Sequence, residues 1–325
     1  MTEPRVSVLM PVYNTGRFVA QACQSVLAQG FRQLELIVID DGSTDDSPAQ
    51  LRALAKDDSR VTVMVRENRG LIASRNELLA LARAPLLAWM DSDDRALPER
   101  LARQVARFEA DASLICLGSA VLEIDPDGLP IGPVVYPTEH GAIERGMQLG
   151  GAMRFPTTMM RRQTVLDVGG FREPFKMAED LDLFFRLIEV GRVANLAEVL
   201  LHYRMHPHNT SRLLASRWGV YRDTILALAR ERKEKGTDRL QRGEPLVLSF
   251  PPEVSAPARA WESHRDWARQ ALAAGYLKAA WKHTLKALSL APQKLPSWKL
   301  AARVGLESSL RFLRGQRLGR AGKRS

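Results

Sequence analysis

The strongest constraint on the fold is a rhythm in the first 110 residues: short apolar runs that stop on polar or acidic clusters, alternating with segments of helical period. Val6 to Val12, Leu34 to Ile39, Val61 to Val65 and Leu86 to Met90 are too short for helices and read as strands. Arg17 to Ala28, Asp46 to Lys56 and Leu71 to Ala82 read as helices, and Pro98 suits the first turn of another running to about Ala110. Strands without a polar face must be covered on both sides, which predicts an α/β fold around a mainly parallel sheet. Ligands of such sheets bind beyond the carboxyl ends of the strands. Those ends carry Tyr13-Asn14, Asp40-Asp41, Glu67-Asn68 and Asp91-Ser92-Asp93-Asp94, so four polar clusters are expected to converge on one edge.

From 111 to 160 the pattern loosens around Asp125-Pro126-Asp127-Gly128, Pro130, Pro133 and Pro137, and irregular strands and loops are expected. Ala178 to Val190 then reads as a strongly amphipathic helix, followed by an apolar run from Val193 to Leu201. Residues 231–258 form the best boundary: the charged RERKEKGTDR gives way to Pro245, Pro251, Pro252 and Pro257, which helix interiors and central strands reject. The reading is a domain over 1–230, a charged and Pro-rich linker over 231–258, and a small helical appendage over 259–325. In the appendage Gly275-Tyr276 breaks one helix, and Pro292 closes the next, Leu277 to Leu290. The order Gly275, Tyr276, Ala279, Ala287, Leu290, Pro292 resembles part of a tetratricopeptide unit.

Two cysteines, Cys23 and Cys116, cannot build a metal cluster of their own; both lie in apolar stretches and read as buried thiols in a reducing compartment. The N-terminal segment has no basic and apolar leader pattern, and no run approaches the roughly 18 apolar residues of a membrane span. The expected location is the cytoplasm, or the periphery of a membrane. A net charge of +10 invites polyanions. The excess gathers in the tail, however: after Glu307 no acidic residue occurs, while Arg311, Arg314, Arg317, Arg320, Lys323 and Arg324 do. No basic surface interleaved with aromatics is evident, so no nucleic-acid partner is expected. Leu306, Leu310 and Leu313 recur at helical spacing beside Arg303, Arg311 and Arg314. That pattern describes a basic amphipathic helix on an anionic membrane surface, or a helix packed on the protein with a basic end.

The chemistry concentrates at the strand ends. Asp91-x-Asp93-Asp94 offers the oxygen ligands that Mg²⁺ and Mn²⁺ prefer, or else acidic caps for the helix after Pro98. Asp41, in Asp40-Asp41-Gly42-Ser43-Thr44-Asp45, suits hydrogen bonds from a nucleobase or ribose, or a simple strand-to-helix turn. No GxGxxG follows the first strand, which disfavours a dinucleotide-dependent oxidoreductase. A basic Gly-rich loop, as a sugar nucleotidyltransferase would need, is absent there too.

The order PVYN, IDDGSTDD, ENRGLIASRN, MDSDD and AEDLDLFFRL resembles the family 2 glycosyltransferases, which have a GT-A fold. The resemblance covers about residues 5–212, including Thr157 to Arg162 and Tyr203 to His206. It implies a nucleotide pocket of Pro11, Tyr13 and Asn14, with Tyr13 stacking on the base, Asp41 holding the base and Arg75 near the nucleotide. Asp93 would bind Mn²⁺ or Mg²⁺, with Asp91 supporting the ribose or the ion, and His206 would be either a further ligand or a surface histidine. Asp180 would be the general base of an inverting transfer, with Glu179 and Asp182 as competing carboxylates. Its place at the start of a helix is expected to lower its pKa and keep it ionised. The implied donor is a nucleoside-diphosphate sugar, by default a UDP-sugar carrying a hexose or N-acetylhexosamine. The implied acceptor is a glycan or a lipid-linked acceptor, in cell-surface glycan or polysaccharide synthesis.

Overall fold

The structure, a computed structural model, describes residues 3–149, 151–206, 217–250 and 256–321. The chain divides into two compact units. The first comprises Met1–Val121, Val134–Tyr203 and Leu214–Pro251; the second comprises Leu122–Pro133, Arg204–Leu213 and Pro252–Ser325.

The first unit opens with the expected alternation: β1 (Val6–Val12), α1 (Gly16–Leu27), β2 (Leu34–Asp40), α2 (Ser47–Asp57), β3 (Val61–Val65), α3 (Leu71–Leu81) and β4 (Leu86–Trp89). All seven residues of β2 are buried, as a strand covered on both faces requires. Helix α1 buries Val19, Ala22, Cys23 and Val26, one helical face in sequence order. In chain order there follow β5 (Arg95–Ala96), α4 (Arg100–Ala110), β6 (Leu114–Ile124), β7 (Pro130–Val134) and α5 (His140–Gln148), with Leu122–Pro133 belonging to the second unit. A 3₁₀ turn (Phe155–Thr157) leads to β8 (Met159–Arg161), α6 (Arg162–Asp167), α7 (Glu179–Ile188), β9 (Arg192–Arg204) and α8 (Trp218–Lys235).

The sheet order is β3-β2-β1-β4-β8-β6-β9-β5, with β7 paired to β6. Strands β3, β2, β1 and β4 are mutually parallel, whereas β8 runs antiparallel to β4 and β6, and β5 to β9. The mixed α/β sheet expected from sequence is therefore present. Its parallel part reverses direction of growth between β1 and β4, the kind of switch point at which ligands of open α/β sheets bind. Beneath β4, Trp89 packs against Phe155 and Phe171 with centroids 5.2 and 5.1 Å away.

Residues 111–160 are more regular than their sequence indicates. Strand β6 has eleven residues, ten of them buried. Gly118 and Ser119 break its apolar run for a packing reason: a Cβ on Gly118 would lie 2.2 Å from Asn195 Oδ1, and the Ser119 N–H donates to Thr157 Oγ1 at 3.1 Å.

The charged stretch after 230 is built into the first unit. Residues 231–235 are the last turn of α8, and Leu240, Leu246, Leu248 and Phe250 pack against the core. Arg172 joins two fully buried carboxylates, donating from Nε to Asp182 at 2.8 Å and from Nη1 to Asp238 at 2.7 Å. Arg186 also holds Asp182, at 2.7 Å, while Arg232 pairs with both Asp238 and Glu189.

The second unit contains α9 (Ala256–Ala273), α10 (Leu277–Leu290) and α11 (Leu295–Ala321), around a core of Ala268, Ala271, Leu272, Ala279, Ala280, Leu300 and Val304. Gly275 separates α9 from α10 at φ +83°, where glycine avoids the Cβ penalty. Asp125 of the expected Asp125-Pro126-Asp127-Gly128 turn is fully buried and accepts the N–H groups of Asp127 and Leu129. Lys282 pairs with both Asp125 and Asp127. No helix among the described residues is long and apolar enough to cross a membrane.

Removing one partner from a buried ion network leaves the others uncompensated, which costs about 3–5 kcal/mol. Asp238→Ala is therefore expected to lower the urea midpoint by an amount equivalent to that range. An unchanged midpoint would show that Asp238 contributes nothing to the first unit.

Candidate active site

The carboxyl ends of β1, β2 and β4 are laced together by short polar contacts. Asn14, at φ +53°, donates its N–H to Ser43 Oγ at 2.8 Å and accepts the Thr44 N–H on Oδ1 at 2.8 Å. Thr15 donates to Ser92 at 2.9 Å, which ties the loop after β1 to the loop after β4. Gly42 takes φ +81°, and a Cβ there would lie 2.7 Å from the Asn68 backbone nitrogen, so only glycine allows the loops after β2 and β3 to approach.

Asp41 is buried, and its two oxygens accept the N–H groups of Arg69 at 3.0 Å and Gly70 at 2.8 Å. Arg66 adds an ion pair at 3.0 Å. The carboxylate thus holds the entry to α3; Arg69 and Arg66 both approach Oδ1, and Oδ2 retains a lone pair beyond the Gly70 bond. Tyr13 stands 53% exposed at the rim, its ring open to a stacking partner, while Pro11 is half-buried beside it.

Just past β4, Asp91, Asp93 and Asp94 bring one oxygen each within 4.8 Å of one another. This all-oxygen set fits a hard divalent cation such as Mn²⁺ or Mg²⁺. Asp180, at the start of α7, is near enough to interact electrostatically with Asp91. Burial pushes the Asp91 carboxyl up to about 6, against the pull of Arg75, and the charges of Asp93 and Asp180 raise it further. Asp180 is likewise raised, chiefly by burial, although Arg75 and Arg154 oppose the shift. The helix N-terminus alone predicts the opposite direction, so desolvation outweighs the dipole here.

The carboxylates on either side of Asp180 have other partners. Asp182 is fully buried between Arg172 and Arg186, and Glu179 forms a buried ion pair with Arg75. Asp180 makes no salt bridge among the described residues; its Oδ1 accepts the Leu181 N–H at 2.7 Å. Arg75 is no exposed helix charge: it is buried, with its guanidinium 4.1 Å from the Phe155 ring centroid and 5.5 Å from that of Phe171. His206 lies in the second unit.

Sequence reasoning missed Arg154, and it noted Tyr203 only as part of the Tyr203–His206 segment without a role. Arg154 donates to the Tyr136 hydroxyl at 3.0 Å, lies 4.4 Å from the Tyr203 ring centroid, and draws the pKa values of Asp91 and Asp180 down. Burial and the charges of Asp94, Asp91 and Asp93 raise the buried Tyr203 phenol well above its ordinary value, against Arg154. Their only sequence signal is position: one just before Phe155-Pro156-Thr157, the other near the end of a long strand.

A mixed α/β sheet carrying a carboxylate group suited to a cation at its strand ends defines the class: an α/β protein with a candidate cation site. Residues 7–169, about half of the chain, match the family model described as glycosyl transferase family 2. The chain belongs to glycosyl transferase family 2. It is 29% identical over 211 residues to the O-antigen biosynthesis glycosyltransferase WbnJ of Escherichia coli, covering 64% of this chain and 82% of that one. To the chondroitin synthase of Pasteurella multocida (strain Pm70) it is 28% identical over 208 residues, or 64% of this chain. The chain spans only 21% of that synthase's length.

Two solved structures share the fold. The mannosyltransferase PcManGT from Pyrobaculum calidifontis, in complex with GDP-Man and Mn²⁺, has a TM-score of 0.54 at 18% identity, covering 95% of this chain and 87% of that one. S. aureus TarS 1-349 in complex with UDP-GlcNAc has a TM-score of 0.52 at 20% identity, covering 94% and 91%.

The ionised form of Asp91 is the costly one in the fold. Its folded-state pKa of about 6 lies above the ordinary 3.8, so its contribution to stability is present below 3.8 and lost as pH rises through 6. Asp91→Asn is therefore expected to melt at a higher temperature than the parent at pH 7.5, with the gap narrowing towards pH 5. A variant that melts lower at pH 7.5 would show that the carboxylate is net stabilising.

Proposed function

We propose that this chain transfers a hexosyl or N-acetylhexosaminyl group from a nucleoside-diphosphate sugar to an acceptor hydroxyl with inversion at the anomeric carbon. The observation that carries this reading is the meeting of Asp91, Asp93 and Asp94 at one strand end, with Asp180 near enough to Asp91 to interact with it electrostatically. Pro11, Tyr13, Asn14 and Asp41 form the nucleotide pocket, with the exposed Tyr13 ring stacking on the base. The donor is a UDP-sugar in the first instance, since TarS is seen with UDP-GlcNAc; PcManGT, seen with GDP-Man, keeps a GDP-sugar as the alternative. The acceptor is a glycan or a lipid-linked acceptor in polysaccharide or cell-surface glycan synthesis, as the names of WbnJ and chondroitin synthase support.

Asp93, assisted by Asp91, would hold Mn²⁺ or Mg²⁺, which when bound supplies Lewis-acid stabilisation of the departing diphosphate. Asp180 accepts the proton of the acceptor hydroxyl as its oxygen forms the new bond to the anomeric carbon. The bond from that carbon to the diphosphate oxygen breaks on the opposite side, and its electron pair leaves with the nucleotide. Arg75, fixed by Glu179, orients the Asp91–Asp180 pair through its charge. A base whose pKa is raised towards neutrality is matched to this task better than an ordinary aspartate.

The test is a screen of UDP- and GDP-sugars with Mn²⁺ or Mg²⁺, with NMR of the purified product. Asp180→Asn is expected to lose at least about 10²-fold in turnover while still binding nucleotide. Asp93→Ala is expected to abolish metal-dependent nucleotide binding, read by calorimetric titration. Retention of configuration, or near-normal turnover by Asp180→Asn, would overturn the assignment of the base.

A further inference from the structure

Helix α11 carries two apolar faces, and the helices of the second unit cover only one. Ser297, Leu300 and Val304 are buried, the latter two in the core with Ala279 and Ala280. Leu295, Trp298, Ala302, Leu306 and Leu310 follow one another at spacings of three or four, which places them in one stripe on the other side of the helix. They are open to solvent: Leu295 is 62% exposed, Trp298 55%, Leu306 63% and Leu310 40%. Exposed Lys299 and Arg303 border the stripe. The Trp298 Nε1–H is satisfied within the chain by the Pro292 carbonyl at 2.7 Å, so the indole can enter an apolar medium without stranding a donor.

The charge around this face is one-sided. Between 294 and 325 the sequence holds nine Lys and Arg residues and a single acid, Glu307, which is paired with Arg311 at 3.2 Å. We propose that the outer face of α11 is a docking surface for an anionic lipid bilayer. The leucines and Trp298 enter the boundary between headgroups and acyl chains, and Lys299 and Arg303 meet the headgroup phosphates. Other occupants satisfy only half of these features. A second copy of the chain would cover the leucines but bring two basic faces together. A nucleic acid would match the charge but leave the aliphatic stripe in water. An anionic bilayer satisfies both.

The test needs neither donor nor acceptor, so it is independent of the transfer reaction. The full chain is sedimented with phosphatidylcholine vesicles, with and without phosphatidylglycerol. Binding is expected on the anionic vesicles and is expected to weaken with salt. Each basic residue contributes on the order of fivefold, so Lys299→Glu with Arg303→Glu should reduce binding by at least about 25-fold. Leu306→Gln with Leu310→Gln alters only exposed side chains; it should leave the melting curve unchanged and still impair binding. Brominated acyl chains should quench tryptophan emission in the bound parent, and Trp298→Phe should remove that quenching. Equal binding to neutral and anionic vesicles would overturn the proposal, as would full binding by the leucine variant. So would a parent that ignores vesicles but self-associates through this face in sedimentation velocity.

Discussion

The geometry of the site depends on one buried ion pair. Arg75 comes from α3 and Glu179 from the first turn of α7, 104 residues later. Desolvating both charges is expensive, and the cost is offset by their attraction and by the faces of Phe155 and Phe171 against the guanidinium. The residue after Glu179 is Asp180. Pinning Glu179 to α3 therefore fixes where Asp180 stands relative to the acids after β4, and joins the parallel part of the sheet to a helix formed much later in the chain.

The same pair limits the accumulation of negative charge. Asp91, Glu179 and Asp180 are buried around Arg75, and burial raises all three carboxyls against the pull of that charge. Such a cluster is a cost to the fold that a bound cation would relieve, a usual trade between stability and activity. The direction of the Asp180 shift carries the lesson. The helix dipole alone gives a lowered pKa, while burial of the carboxyl raises it.

The parallel strands were legible because a strand buried on both faces is almost wholly apolar, as in β4, and the buried Glu35 of β2 is tolerated through bonds from Ser7 and Arg83. Their acidic ends were legible for the converse reason: a buried run that stops on Asp91 or Asp40 stops at an opening. Strand β6 was not, because Gly118 and Ser119 accommodate Asn195 and Thr157, partners remote in sequence. The stretch after 230 looks solvated on charge alone, since no local signal shows that Arg232 and Asp238 pair with Glu189 and Arg172. Arg154 escaped notice likewise, being a functional candidate only through neighbours that tertiary structure supplies. Spaced motifs disclosed the donors of the site; the arginines that tune it became visible only in three dimensions.

Cys23 and Cys116 lie fully inside the first unit, neither in a disulfide. Burial pushes the Cys23 thiol up to about 12 and the Cys116 thiol further, so neither presents a thiolate to a reagent at neutral pH. The wild-type background is thus silent towards maleimides and other thiol-directed probes. Two cysteines placed at exposed positions such as Val135 and Leu149 would take a pair of fluorophores or spin labels without prior removal of native thiols. Distances could then be followed across the molecule during turnover with its interior packing intact.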